Sequence, residues 1–91
     1  MEECKMREEI KDSSRRRVGY IEDALYGKKN ILDDRGHKLG EIRTEAGKLW
    51  AYDAMLHRLG YWDQNINTTR DTAGRTVGKG NLLLNFFFKN L

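Results

Sequence analysis

One eight-residue pattern occurs four times in this chain of 91 residues: Asp, five residues, Val or Leu, then Gly. The copies are DSSRRRVG (Asp12–Gly19), DDRGHKLG (Asp33–Gly40), DAMLHRLG (Asp53–Gly60) and DTAGRTVG (Asp71–Gly78). At the frequencies of Gly and of Val plus Leu in this chain, a given Asp would be followed this way about once in eighty trials. Four of the seven Asp residues are, so the chain is an internal repeat. Successive copies start 21, 20 and 18 residues apart. That is too short for paired helices and suits one β-hairpin plus a connection.

Turn chemistry supports the hairpin. A type I turn favours Asp at its first position, where the carboxylate accepts backbone N–H bonds, and Gly at its fourth. Asp33 with Gly36 and Asp71 with Gly74 satisfy both conditions. Arg15 and Leu56 stand where the first and third units need that Gly, so those two turns are expected to be strained or of another type.

Strands flank each turn: NIL, LWAY and NTTR before, RVGYI, KLGEI, RLGYW and TVGKG after. Val18, Leu39, Leu59 and Val77 precede the repeated Gly, and Ile21, Ile42 and Trp62 lie two positions beyond it. These are the expected core. The repeated Gly itself is expected at a bulge or where something packs closely against the backbone. Second turns around Gly27, Gly47 and Asn65 join the units. The expected fold is therefore all-β: four β-hairpin repeats, about eight short antiparallel strands, with a short C-terminal helix. Isolated hairpins are marginal in water, so the four either close radially around an axis, form a small barrel, or lie as an open meander.

Four hairpins of the form Asp-x-x-Gly followed by apolar-Gly-apolar, in under a hundred residues, resemble the four-fold β-flower family. A looser similarity is to the YD repeats of large bacterial surface proteins, echoed by Tyr52-Asp53 and Gly74-Arg75. The resemblance spans about Ile10 to Gly80, departs from the pattern at Arg15 and Leu56, and implies a fold of four hairpin petals around a pseudo-four-fold axis. It implies no activity and no site residues.

Three segments follow: a charged N-terminal stretch (1–9), the four-hairpin domain (10–80) and an apolar tail (81–91). Hydrophobic residues make up only 38% of the chain, thin for a domain this small, so they must be well placed or share a surface with a partner. Cys4 is the sole cysteine, which excludes an intramolecular disulfide and points to a reducing compartment. The opening MEECKMREEIKD has no apolar stretch of a secretory signal, and LLLNFFF is far too short to span a bilayer. The expected location is cytoplasmic.

The tail GNLLLNFFFKNL breaks the repeat. Read as a helix capped by Asn81, it leaves Asn85 and Lys89 on one polar stripe and is apolar elsewhere, and a helix like that does not stay in water alone. Three uses follow: it plugs one end of the hairpin array, it makes a homodimer or partner contact through Leu83, Leu84, Phe86, Phe87, Phe88 and Leu91, or it touches a membrane surface.

Chemistry-bearing motifs are scarce. GKGN lacks the spacing and hydroxyl of a phosphate-binding loop, and no nucleophile motif frames the scattered hydroxyls and histidines. His37 and His57 share one repeat position but bring no further ligands for a metal. No cofactor is expected, nor an enzyme. The positions four and five after each Asp read Arg16, His37, His57, Arg75 and Arg17, Lys38, Arg58, Thr76. On symmetric hairpins they form a basic band, with Tyr20, Tyr61 and Trp62 available to stack bases. The alternative is that acidic neighbours pair with them across the strands. The surplus apolar tail on a compact domain without a catalytic constellation makes a non-enzymatic protein-binding module the leading expectation, and its size and character suggest a phage or mobile-element regulator of a host protein. Nucleic-acid binding through Arg16, Arg17, Lys38, Arg58 and Arg75 is the second.

Overall fold

A computed structural model of the chain describes residues 7–88 and 91, so Cys4 and Lys89 lie outside the described residues. Eight strands form one antiparallel sheet in chain order: β1 (Arg7–Lys11), β2 (Arg17–Asp23), β3 (Lys29–Asp33), β4 (Lys38–Glu45), β5 (Lys48–Asp53), β6 (Arg58–Asp63), β7 (Thr68–Asp71) and β8 (Thr76–Lys79). The all-β fold of four hairpins is as expected. β1 and β8 remain its two edges, so the sheet is open and does not close into a barrel or ring. The first strand begins at Arg7, three residues before the expected start of the hairpin domain.

Each hairpin turn is built by its Asp. One carboxylate oxygen accepts the N–H groups two and four residues on: Ser14 and Arg16 at Asp12, Arg35 and His37 at Asp33, Met55 and His57 at Asp53, Ala73 and Arg75 at Asp71. All eight bonds fall between 2.8 and 3.0 Å. The first and third turns share this geometry, so they are not another type. They are strained instead. Arg15 (φ 64°) and Leu56 (φ 65°) hold the left-handed backbone that Gly36 and Gly74 adopt in their sister turns, at a cost of about 1 kcal/mol each.

Beyond each turn the ladder skips one residue. Ile31 faces Gly40 but Leu32 faces Lys38, and the same shift recurs in the other three hairpins. Such a bulge re-aims one side chain, and Leu39 and Leu59, the residues passed over, pack against the core. The expected core positions Ile21, Ile42 and Trp62 lie there too, around fully buried Ile31 and Ala51. Val77, in the shortest unit, stays 43% exposed.

Alternation gives the sheet two faces. The inner face carries Ile10, Ile21, Ile31, Ile42, Ala51 and Trp62, together with the four repeat glycines, which cross-strand register places beside them. The tail covers this face. It does so as a 3-10 turn of four residues (Leu83–Phe86), in place of the longer expected helix. Asn81 still serves its start, accepting the Leu83 N–H at 3.2 Å. Buried Thr69 anchors the reversal: its hydroxyl donates to the Gly80 carbonyl at 2.7 Å and accepts the Leu82 N–H at 2.9 Å.

The reason for the short turn is visible in the glycines. A Cβ added at Gly19, Gly40, Gly60 or Gly78 would lie 2.5 to 2.7 Å from Phe88, Phe87, Phe86 or Leu82 respectively. At Gly19, Gly40 and Gly60 the carbonyl of Leu32, Tyr52 or Arg70 on the next strand is at least as close, so each of these glycines admits both a neighbouring backbone and one tail residue; Gly78 admits the tail alone. The tail meets the units in reverse order, with Leu83 buried at the centre. Three consecutive phenyl rings must fan toward three successive units. Of the uses open to the tail, the plug is the one found.

Candidate binding face

The outer face has no such cover. The residues between the inward-facing ones point here: Tyr20 on β2, Glu41 and Arg43 on β4, Trp50 and Tyr52 on β5, Arg58 and Tyr61 on β6, and Arg70 on β7. Cross-strand pairing brings Trp50 opposite both Arg43 and Tyr61, and Tyr52 opposite Glu41 and Arg58.

Aromatic rings and cations interleave across this surface. The Trp50 and Tyr61 rings lie 4.7 Å apart at a 43° tilt. The Arg58 guanidinium sits 4.3 Å above Trp50 and 5.9 Å from the Tyr52 ring, and the Arg43 guanidinium lies 4.9 Å from Tyr52. The Lys48 ammonium lies 4.9 Å from Tyr61, while Arg7 and Arg17 flank Tyr20 at 5.1 and 5.4 Å. Contacts of this kind contribute about 0.5–1 kcal/mol each at exposed sites. They hold long, otherwise mobile side chains in place, so the face is preorganised.

Buried Glu41 organises the centre. Its carboxylate accepts from Lys38 Nζ at 2.9 Å and from Arg43 Nε. Burial pushes this carboxyl toward its neutral form, but the Arg43 and Lys38 hydrogen bonds outweigh it, and the pKa is lowered. Beside it, Glu45 accepts the Tyr52 hydroxyl at 2.5 Å and Arg58 Nη2 at 3.0 Å. Burial, then the bond to Glu45, raises the Tyr52 pKa. At the β1 side, Arg7 pairs with Glu22 at 2.7 Å.

The structure divides the basic band expected from the repeat. Arg17, Lys38 and Arg58 lie on the outer face, with Lys38 and Arg58 already paired to Glu41 and Glu45. Arg16, His37, His57 and Arg75 sit instead in the turns. There His37 and His57 place Nδ1 at 3.3 and 3.2 Å from their own turn aspartates, and Arg75 lies 3.5 Å from Asp71. The aspartates Asp33 and Asp53 are held below the usual carboxylate range, first by the backbone N–H of His37 and of His57 respectively. Trp62 is withdrawn from stacking, since it packs against the core and donates Nε1–H to Asn67 at 3.1 Å. Trp50 takes that place. The signal was present in LWAYD, where period-two alternation with Leu49 and Ala51 inward sends Trp50 and Tyr52 outward.

Of the tail residues expected to meet a partner, Leu83 is buried and Leu84, Phe86, Phe87 and Phe88 pack against the core cluster; Leu91 is 41% exposed. Other apolar side chains stand out at connections: Leu25 and Tyr26 in the short 3-10 turn (Leu25–Gly27), Met55 and Leu56 in the third hairpin turn. Among the described residues, no His, Cys, Asp or Glu side chains gather in threes as a metal site would need, and no helix is long and apolar enough to cross a membrane. The chain matches no family model, no curated protein and no solved structure.

Proposed function

We propose that the chain is a non-enzymatic protein-binding module and that its working surface is the outer face of the sheet, not the tail. The observation that carries this reading is the half-buried Trp50–Tyr61 ring pair, on the face opposite the tail, with Arg58 stacked on it and Lys48 beside it. Tyr, Trp and Arg are the residues that concentrate binding energy at protein interfaces, because each offers a large rigid surface with a polar handle. A partner covering these rings would displace little ordered structure, since they are already held by their neighbours. A phage or mobile-element regulator of a host protein is one setting in which so small a module would work.

A protein partner is favoured over nucleic acid by the charge pairing. Binding to a phosphate backbone gains from releasing counterions held near free cations, and each free cation adds to the salt dependence. On this face Arg7, Lys38, Arg43 and Arg58 are already paired with Glu22, Glu41 and Glu45. Phosphates would have to compete with those carboxylates. The nucleic-acid reading keeps one specific support, the set of aromatic rings flanked by cations, which also suits base stacking.

The test is affinity capture from lysate by the full chain, with and without nuclease, beside Trp50→Ala, Tyr61→Ala and Arg58→Ala variants whose melting curves show that they fold. A nuclease-resistant partner that wild type retains and the three variants lose supports the protein reading. Capture that disappears with nuclease, and falls steeply between low and physiological salt, would replace it with the nucleic-acid reading. Capture indifferent to all three substitutions overturns the assignment of the face.

A further inference from the structure

On the inner side, the tail leaves one part of the sheet open. A cavity of about 310 Å³ lies between the tail turn and strands β2, β4 and β5, walled by Ile21, Ile42, Leu49, Leu83 and Leu84. A second hollow of about 150 Å³, bounded by Glu8 and Asp23, shares the walls Ile21 and Lys29 with it. The first is of the size that binds a small ligand or an inserted side chain.

Beside this groove stands the most exposed aromatic residue of the molecule. Tyr26 is 93% exposed and its neighbour Leu25 62% exposed, at the tip of the β2–β3 connection. Tyr26 also holds a left-handed backbone, φ 61°, with no hydrogen bond from its hydroxyl among the described residues. Strain and apolar exposure together are costly in an isolated chain, and a Gly or Asn would serve the turn better. The third residue of the tip, Gly27, lines the groove.

We infer that this groove receives the Leu25–Tyr26 tip of a second copy of the chain, in a two-fold arrangement where each tip fills the other's groove. Tip and groove share Gly27, so they lie side by side, and a two-fold contact can exchange them: what one copy projects, the other receives. Charge agrees with shape. Lys28 follows the tip and has no ion-pair partner among the described residues. In the adjoining hollow, Asp23 is taken by Lys29 at 2.5 Å, but Glu8 is likewise unpaired among the described residues. Each copy therefore offers one spare cation next to its tip and one spare carboxylate next to its groove. The contact leaves the outer face free, so it is independent of the binding role proposed there.

Sedimentation equilibrium on the full chain, from about 1 μM to about 1 mM, tests this. Wild type is expected to reach a dimer within that range. Tyr26→Gly removes the inserted ring while easing the backbone, so the variant melts no lower than wild type and its dissociation constant rises by about tenfold or more. Lys28→Glu and Glu8→Lys each weaken the dimer, and the double reversal restores it, because the exchanged charges meet across the axis. A chain that stays monomeric throughout, a dimer indifferent to Tyr26→Gly, or a double reversal no tighter than either single one overturns the inference.

Discussion

Gly40 and Gly36 lie four residues apart and do unrelated work. Gly36 has φ 85° and open space around it, so its value is purely conformational. Gly40 needs no unusual backbone; it is packed between the Tyr52 carbonyl and the Phe87 ring, and any side chain would push both away. A Gly40→Ala variant is therefore expected to lose about 2–3 kcal/mol, as overpacking against rigid backbone does. Gly36→Ala should lose only about 1 kcal/mol, the cost Leu56 already bears in the equivalent turn. Urea unfolding of the two variants distinguishes these roles; equal losses would mean that the tail does not press on the sheet as described.

Among elements, the tail differs most from what its sequence alone implies. Isolated, LLLNFFF is an aggregation hazard; seated, it supplies the half of the core that the glycine-rich inner face lacks. Leu83, 1% exposed at its centre, touches the cluster built from Ile31, Ile42 and Ala51. Leu83→Ala removes those contacts and leaves a cavity the surrounding strands fill only partly. The expected loss is about 3 kcal/mol by chemical denaturation, a large share of the stability of so small a domain. A loss below about 1 kcal/mol would show that the sheet holds without its plug. The same seating sets Leu84 and the three phenyl rings against the core cluster beside Leu83.

At the scale of the whole molecule, the eight-stranded sheet is tied by carboxylates with lowered pKa values: Glu41 on the outer face, Asp33 and Asp53 in the turns. A carboxyl whose pKa is lower folded than unfolded contributes stability above its unfolded value, and that contribution is lost as pH falls through the folded value. The ordinary values are 4.5 for Glu and 3.8 for Asp, so thermal stability is expected to hold from neutral pH down to about those values and to fall below them. Melting curves from pH 7 to pH 2.5 check it. Stability that rose on acidification would contradict the pairing. Edges matter at this scale as well. β1 and β8 are unpaired on one side, and Glu8, Glu9, Lys11 and Lys79 supply the charge that discourages strand addition.

Sequence alone determined the local units: four Asp-anchored turns, eight strands, and the inward set Ile21, Ile42 and Trp62. Each is settled by interactions within about ten residues, a carboxylate on nearby N–H groups or an alternation of period two, and these are legible in any copy of the repeat. Alternation also carried Trp50 and Tyr52 to the outer face, although which rings would be left uncovered was not local information. That depended on which face the tail chose. The tertiary structure alone decided that the sheet stays open, that the tail is a brief turn instead of a helix, and that its rings lie on the four glycines. Those outcomes rest on contacts between residues as distant as Gly19 and Phe88, where the shape left by missing side chains, not propensity, selects the conformation.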